Sequence, residues 1–204
     1  MESGKFTLVL GSQSPRRKQL LSWINIPFQI LTADLDEVST ESDSEKIAVD
    51  IASQKAHAVF AKSSLVQNPF IISSDTIVVL NGVLYAKPAD KDDARRILNE
   101  LAGQTHEVIT GVSFLFHDDN KKLHEHTFYD STEVTFTEIS QELMDRYIET
   151  GDSMDKAGAY GIQGPSLTFI SKLNGSYSNV VGFPIDKILS ELAIILGDDW
   201  RKNF

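Results

Sequence analysis

The stretch Leu8-Val9-Leu10-Gly11-Ser12-Gln13-Ser14-Pro15-Arg16-Arg17 constrains the fold most, because it reads as a strand, a tight turn and the start of a helix. Phe6 to Leu10 is a short apolar β-type run, Gly11 permits the turn, Ser14 suits an N-cap and Pro15 suits the first helical position. A helix begun this way presents free backbone N–H groups. Arg16, Arg17 and Lys18 set up to three positive charges beside them, which makes a phosphate or polyphosphate site. The same arginines oppose the helix macrodipole and would serve as solvated surface, so local sequence leaves both readings open.

The rest of the chain sharpens that choice. With 204 residues, 41% of them hydrophobic, there is enough material for one sizeable core or for two lobes sharing a cleft. There is no cysteine, which excludes disulfides, thiolate metal sites and cysteine nucleophiles. Met1 to Lys5 lead directly into the first strand with no run long enough for a signal peptide or membrane span, so a cytoplasmic location is the default expectation. A formal net charge of −10 argues against a general nucleic-acid binder. A small anionic substrate needs only a local basic pocket, and the Arg16 cluster stands out against the acidic remainder.

Further along, Leu20, Leu21 and Ile24 give the first helix a core face, and Phe28 to Leu31 reads as a strand. Ala33 to Glu45 is polar, acidic and aperiodic, a loop whose carboxylates either solvate or hold a hard cation. Ser44 is expected to cap a helix from about Glu45 to Lys62, with Lys55 within or beside its apolar stripe. A lysine there ordinarily snorkels to the surface. Phe70 to Leu80 is an apolar β-run broken by one carboxylate, Asp75, and closed by the hairpin signal Asn81-Gly82. An isolated buried carboxylate is costly, so Asp75 should reach a cleft, a cation or a hydrogen-bond partner. The return strand would carry Lys87 within reach of it.

Asp90, with Asp93 as capping partner, opens a helix that Gly103 stops. Val108 to Phe116 and Leu123 to Phe136 form a hairpin, on which His124 and His126 share a face but lack identifiable further zinc ligands. Ser140 caps a helix ended by Gly151. The glycine-rich stretch Asp152 to Pro165 reads as a binding loop or as ordinary turns, Leu167 to Leu173 as a strand, and Tyr177 to Phe183 as a second glycine-bounded loop. Pro184 opens the last helix.

Four blocks together carry a resemblance. Gly11-Ser-Gln-Ser-Pro-Arg-Arg17 is the first. Ser74-Asp-Thr-Ile-Val78 with Ala86-Lys-Pro88 is the second, and Gly103-Gln-Thr-His-Glu-Val-Ile-Thr-Gly111 the third. The fourth is Asp155-Lys-Ala-Gly-Ala-Tyr-Gly-Ile-Gln-Gly164 with Gly175-Ser-Tyr-Ser-Asn-Val-Val-Gly182. In this order, over nearly the whole chain, they resemble the Maf family of nucleoside triphosphate pyrophosphatases.

The resemblance implies one domain over residues 1–204 with an α/β fold like that of the inosine triphosphate pyrophosphatases: an elongated mixed β-sheet, flanking helices, and two lobes around a cleft. It implies hydrolysis of a nucleoside triphosphate to the monophosphate and pyrophosphate with Mg²⁺ or Mn²⁺. Asp75 falls on the family's proton acceptor. Arg16, Thr76 and Gln163 match its substrate-specificity positions, and Ser12, Glu37, Lys55 and Lys87 match polar and charged positions lining its cleft. Glu37 is preferred over adjacent Asp36 from its place in the acidic loop, and the metal would be held by Glu37, Asp75 and triphosphate oxygens. The block around Gln163 is similar to the branch acting on dTTP and UTP, while the branch acting on 7-methyl-GTP differs there. A glutamine amide can donate to a pyrimidine O4 and accept from N3–H, a match that cytosine reverses. A homodimer is a family-level expectation, and the family's name, septum formation inhibitor, suggests a link between nucleotide house-cleaning and cell division. Three departures stand out: Gly11 where alanine is usual, Ser73-Ser74 where Gly-Ala is common, and Ala86 for the usual glycine before Lys87.

Overall fold

The computed structural model describes residues 5–204; the expected lead from the first four residues into the opening strand lies outside the described residues. The chain runs β1 (Thr7–Leu10), α1 (Pro15–Ser22), β2 (Phe28–Ile30), α2 (Ser44–Lys62), β3 (Pro69–Leu80) and β4 (Val83–Tyr85). It continues through α3 (Lys91–Leu101), β5 (Thr105–His117), β6 (Leu123–Phe136), α4 (Gln141–Glu149), β7 (Ile170–Asn174), α5 (Tyr177–Val181) and α6 (Ile185–Leu196). One mixed sheet has the order β2-β1-β3-β5-β6-β7, with β4 added to β3. β1 is parallel to β2 and β3, and the other pairings are antiparallel.

Alternation along β3 assigns its side chains to two faces. Val9, Ile71 and Leu115 meet Ala56 and Val59 of α2, and Val79 and Ile109 meet Ala48, so α2 covers one face. Its approach depends on Gly111, opposite Asp75 in the register, because a β-carbon there would lie 2.2 Å from the Ala48 carbonyl oxygen. The other face carries two cores. Phe70, Ile72 and Phe114 pack with Leu20, Leu21, Ile188 and Leu192 at one end. Val78, Leu80 and Phe136 pack with Leu98, Leu101, Met144 and Tyr147 at the other. These are the two lobes, and Ser74 and Thr76 lie on the strand between them. Among the described residues no helix is long and apolar enough to cross a membrane.

The turn chemistry is as the residues dictate. Ser14 accepts from the Arg17 N–H with Pro15 following, and Asn81 and Gly82 both take left-handed φ values (52° and 78°), as a tight hairpin requires. Three local expectations are corrected. Asp43, not Ser44, caps α2, because its carboxylate one residue earlier accepts from both Glu45 and Lys46 N–H groups and complements the helix dipole. Pro165–Thr168 forms a 3₁₀ turn after Gly164, so the expected strand at Leu167 begins only at Ile170. The expected loop Tyr177 to Phe183 is mostly the helix α5, capped by Ser176 and ended by left-handed Gly182 (φ 99°); five residues are too few to show a periodicity.

Candidate active site

The site lies where pairing along one edge of β3 lapses. On that edge β1 ends its register at Leu10 opposite Ile72, and Gly11 N–H donates the last bond to the Ile72 carbonyl at 2.8 Å. Pairing resumes only at Val78 opposite Tyr85 of β4. Residues 73–77 are therefore bonded on one edge alone, to β5. A strand open at one edge can offer groups from both of its faces to the same space, and Asp75, Thr76 and Ile77 all line a cleft of about 920 Å³.

The eight site residues that the family resemblance implies all line this cleft: Ser12, Arg16, Glu37, Lys55, Asp75, Thr76, Lys87 and Gln163. Asp75 is 8% exposed, and its burial is compensated by the Lys55 ammonium 2.6 Å from Oδ1. The same Nζ lies 2.8 Å from Glu37 Oε1. Lys55 thus does not snorkel to the surface; it bridges two carboxylates from the face of α2. Glu37 is the member of the acidic pair that reaches the cleft, and Asp36 is not among the lining residues. Asp75 Oδ2 has no protein donor among the described residues.

The consecutive arginines part company. Arg17 donates to the Ser74 carbonyl at 2.7 Å, to Thr76 Oγ1 at 3.2 Å and to Ser12 Oγ at 3.5 Å, so it closes the open edge of β3 with a guanidinium where a strand would otherwise sit. Burial draws Arg17 below its ordinary value, and the neighbouring Asp75 carboxylate opposes that shift. Behind it, Thr76 Oγ1 meets Thr110 Oγ1 at 3.0 Å, and Thr110 donates to the Asn179 carbonyl. Arg16 reaches across the cleft to Asp155 Oδ2 at 3.4 Å. Burial alone would raise the Asp155 carboxyl, but Lys156 and Arg16 outweigh it and hold the group below the usual carboxylate range. Lys18 is exposed and does not line the cleft. Lys87 is exposed at the rim, and Gln163 is half-buried beyond it.

Two hard carboxylate oxygens converging on one point suit Mg²⁺ or Mn²⁺, which take one or two carboxylates and complete their shell from substrate phosphates. The Lys55 ammonium marks that point as one where the carboxylates hold positive charge. Among the described residues no cluster of three His, Cys, Asp or Glu stands ready to hold a metal by protein ligands alone. His124 pairs with Asp118 at 2.9 Å and His126 with Glu191 at 2.7 Å, so the two histidines of β6 serve separate partners.

Residues 7–195 match the family model described as Maf-like protein. The chain belongs to the Maf family. It is 40% identical over 195 residues to a dTTP/UTP pyrophosphatase of Agathobacter rectalis, covering 91% of this chain and 95% of that protein. It is 45% identical over 182 residues to a dTTP/UTP pyrophosphatase of Alkaliphilus metalliredigens, covering 89% and 92%. A Bacillus cereus protein of the same description is 39% identical over 186 residues, covering 91% and 93%. A nucleoside-triphosphatase / dITP/XTP pyrophosphatase from Mycobacterium abscessus is similar at 10% identity and a TM-score of 0.40, over 65% of this chain and 75% of that one. That likeness is too slight to carry an argument.

A β-carbon on Gly11 would meet Ser73 Oγ at 2.1 Å, so the glycine at the end of β1 leaves room for the serine that faces it on β3. Sequence reasoning grouped Arg17 with its neighbours and missed its place on the open strand edge; it also missed Thr110, Asn179 and Lys156. Only the glycines flanking these last three hinted that backbone passes close by.

Proposed function

We propose that this chain hydrolyses a nucleoside triphosphate, dTTP or UTP, to the nucleoside monophosphate and pyrophosphate. The observation that carries the reading is the free Oδ2 of a buried Asp75 on an unpaired strand edge, with Arg17 and Lys55 beside it. In a chain of net charge −10 the cleft is lined by Arg16, Arg17, Lys55, Lys87 and Lys156 against four carboxylates, a local balance suited to a triphosphate.

Asp75 Oδ2 takes a proton from water as the water oxygen attacks the α-phosphorus; the bond from that phosphorus to the α–β bridging oxygen breaks and pyrophosphate leaves with the bonding pair. Lys55 holds Asp75 in orientation through its contact with Oδ1 while Arg17, already fixed by three oxygens, presents charge without reorganising. Glu37 and Asp75 would hold Mg²⁺ or Mn²⁺, which when bound neutralises charge on the phosphates. Gln163 would read the O4 and N3–H edge of uracil or thymine. The relatives described as dTTP/UTP pyrophosphatases support this base choice.

The test is a product assay with Mg²⁺ or Mn²⁺ and a panel of dTTP, UTP, dCTP, CTP, GTP, ATP and 7-methyl-GTP, resolving pyrophosphate from orthophosphate. Pyrophosphate with dTMP or UMP is the expected result. Orthophosphate release would contradict the reaction, and turnover of 7-methyl-GTP alone would contradict the role of Gln163.

A further inference from the structure

Lys156 has a charged end inside the cleft wall and no role in the reaction just described. Its side chain is 9% exposed, and its ammonium meets three oxygens: the Asp152 carbonyl at 2.6 Å, Asp152 Oδ1 at 2.9 Å and Asp155 Oδ1 at 2.6 Å. An ammonium has three N–H donors. All three are committed, so Lys156 has none to offer a phosphate and acts on substrate through other groups.

Each end of the side chain leads to one. At the head, the second oxygen of Asp155 faces both terminal nitrogens of Arg16 at 3.4 Å, across the cleft. Along the stem, Cδ and Cε lie over Gly161 so closely that a β-carbon there would come within 2.7 Å of either. Gly161 is held from its other side by Ser166, whose hydroxyl donates to its carbonyl. Ile162 is then buried in the first core and Gln163 emerges into the cleft. The path of backbone that presents Gln163 is thereby set against the Lys156 stem. At the base of the loop the Tyr147 hydroxyl lies 3.2 Å from both Asp152 Oδ2 and the Ala159 carbonyl, its one O–H shared between the two acceptors.

We propose that Lys156 is a positioning residue with two separable arms: its ammonium orients Arg16 through Asp155, and its stem sets Gln163 through Gly161. The proposal rests on the pyrophosphatase reading and deepens it, because one side chain then joins the grip on the triphosphate to the choice of base.

The arms separate by substitution. Lys156→Met keeps a stem over Gly161 and removes the ammonium; KM for dTTP should rise about tenfold while the preference for dTTP over dCTP stays within about twofold of wild type. Gly161→Ala displaces the stem and should do the reverse, reducing the dTTP over dCTP preference about tenfold. In an Arg16→Ala background Lys156→Met should change KM by less than about twofold, since the head acts through Arg16. A merely structural lysine would move both properties together. Equal losses of affinity and base preference in Lys156→Met, or full additivity with Arg16→Ala, would overturn the proposal. Should Lys156→Met not fold, Asp155→Asn at an exposed carboxylate carries the same test: a raised KM that does not add to Arg16→Ala supports the head arm, and additivity overturns it. Wild-type protein releasing no pyrophosphate would contradict the activity instead, and the same variants would then be judged by calorimetric affinity for dTTP.

Discussion

Strand β3 is two kinds of strand in one. Phe70, Ile71 and Ile72 at one end and Val78, Val79 and Leu80 at the other are apolar and buried, and all but the terminal Leu80 are paired on both edges. Ser73 to Ile77 between them are mostly polar and paired on one edge. The ends belong to the two cores and make the fold; the middle contributes little apolar burial and makes the site. The difference teaches that chemistry is housed where the ladder lapses, because only there can a carboxylate be buried and still face a substrate.

The comparison predicts that substitutions in the middle change kinetics and substitutions at the ends change stability. Asp75→Asn should lower kcat about a thousandfold, a loss in the range of general-base removal, with a melting temperature near wild type. A folded Asp75→Asn protein with near-normal turnover would break the comparison at its centre. Ile72→Ala, at a fully buried position of the first core, should cost about 3 kcal/mol in denaturant unfolding while folded protein keeps its kcat.

His106 tests the second lobe by pH. It is 1% exposed, set edge-on against Phe136, with Nε2 2.7 Å from Tyr160 Oη and no partner for Nδ1 among the described residues. Burial lowers its pKa from the ordinary 6.5 to about 4. The unfolded chain therefore binds the proton first as pH falls. The contribution is complete above 6.5 and is lost as pH falls toward 4, on the order of 3 kcal/mol in all. Unfolding free energies of wild type and His106→Gln, followed across that window, should diverge by this amount; parallel curves would contradict it. The smallest effect belongs to the border between end and middle. Gly11→Ala should destabilise by about 1–2 kcal/mol through collision with Ser73, and Ser73→Gly in the same chain should restore most of it. Failure of that rescue would mean that the two positions do not share their volume.

Much of this was legible in the residues. Caps, the Asn81-Gly82 turn and the strand–turn–helix at Gly11 are local chemistry, so they appear in sequence as they do in the fold. Asp75 stood out because a carboxylate in an apolar run needs a reason. The order of strands was not legible, and with it the gap at residues 73–77, because pairing of β1 with β3 joins segments about sixty residues apart with no local signal. For the same reason Arg17 looked like Arg16: only their tertiary partners distinguish them, Ser12, Ser74 and Thr76 for Arg17 and Asp155 for Arg16. Lys156 was hidden by its neighbours, since its three acceptors include a backbone carbonyl that no composition reveals.

The most direct measurement is hydrolysis of dTTP in water enriched in heavy oxygen, with the two products separated and weighed by mass spectrometry. Water activated by Asp75 against the α-phosphorus puts the label in dTMP and leaves pyrophosphate unlabelled. Label in pyrophosphate would mean attack at the β-phosphorus, and would contradict the position given to Asp75 at the open edge of β3.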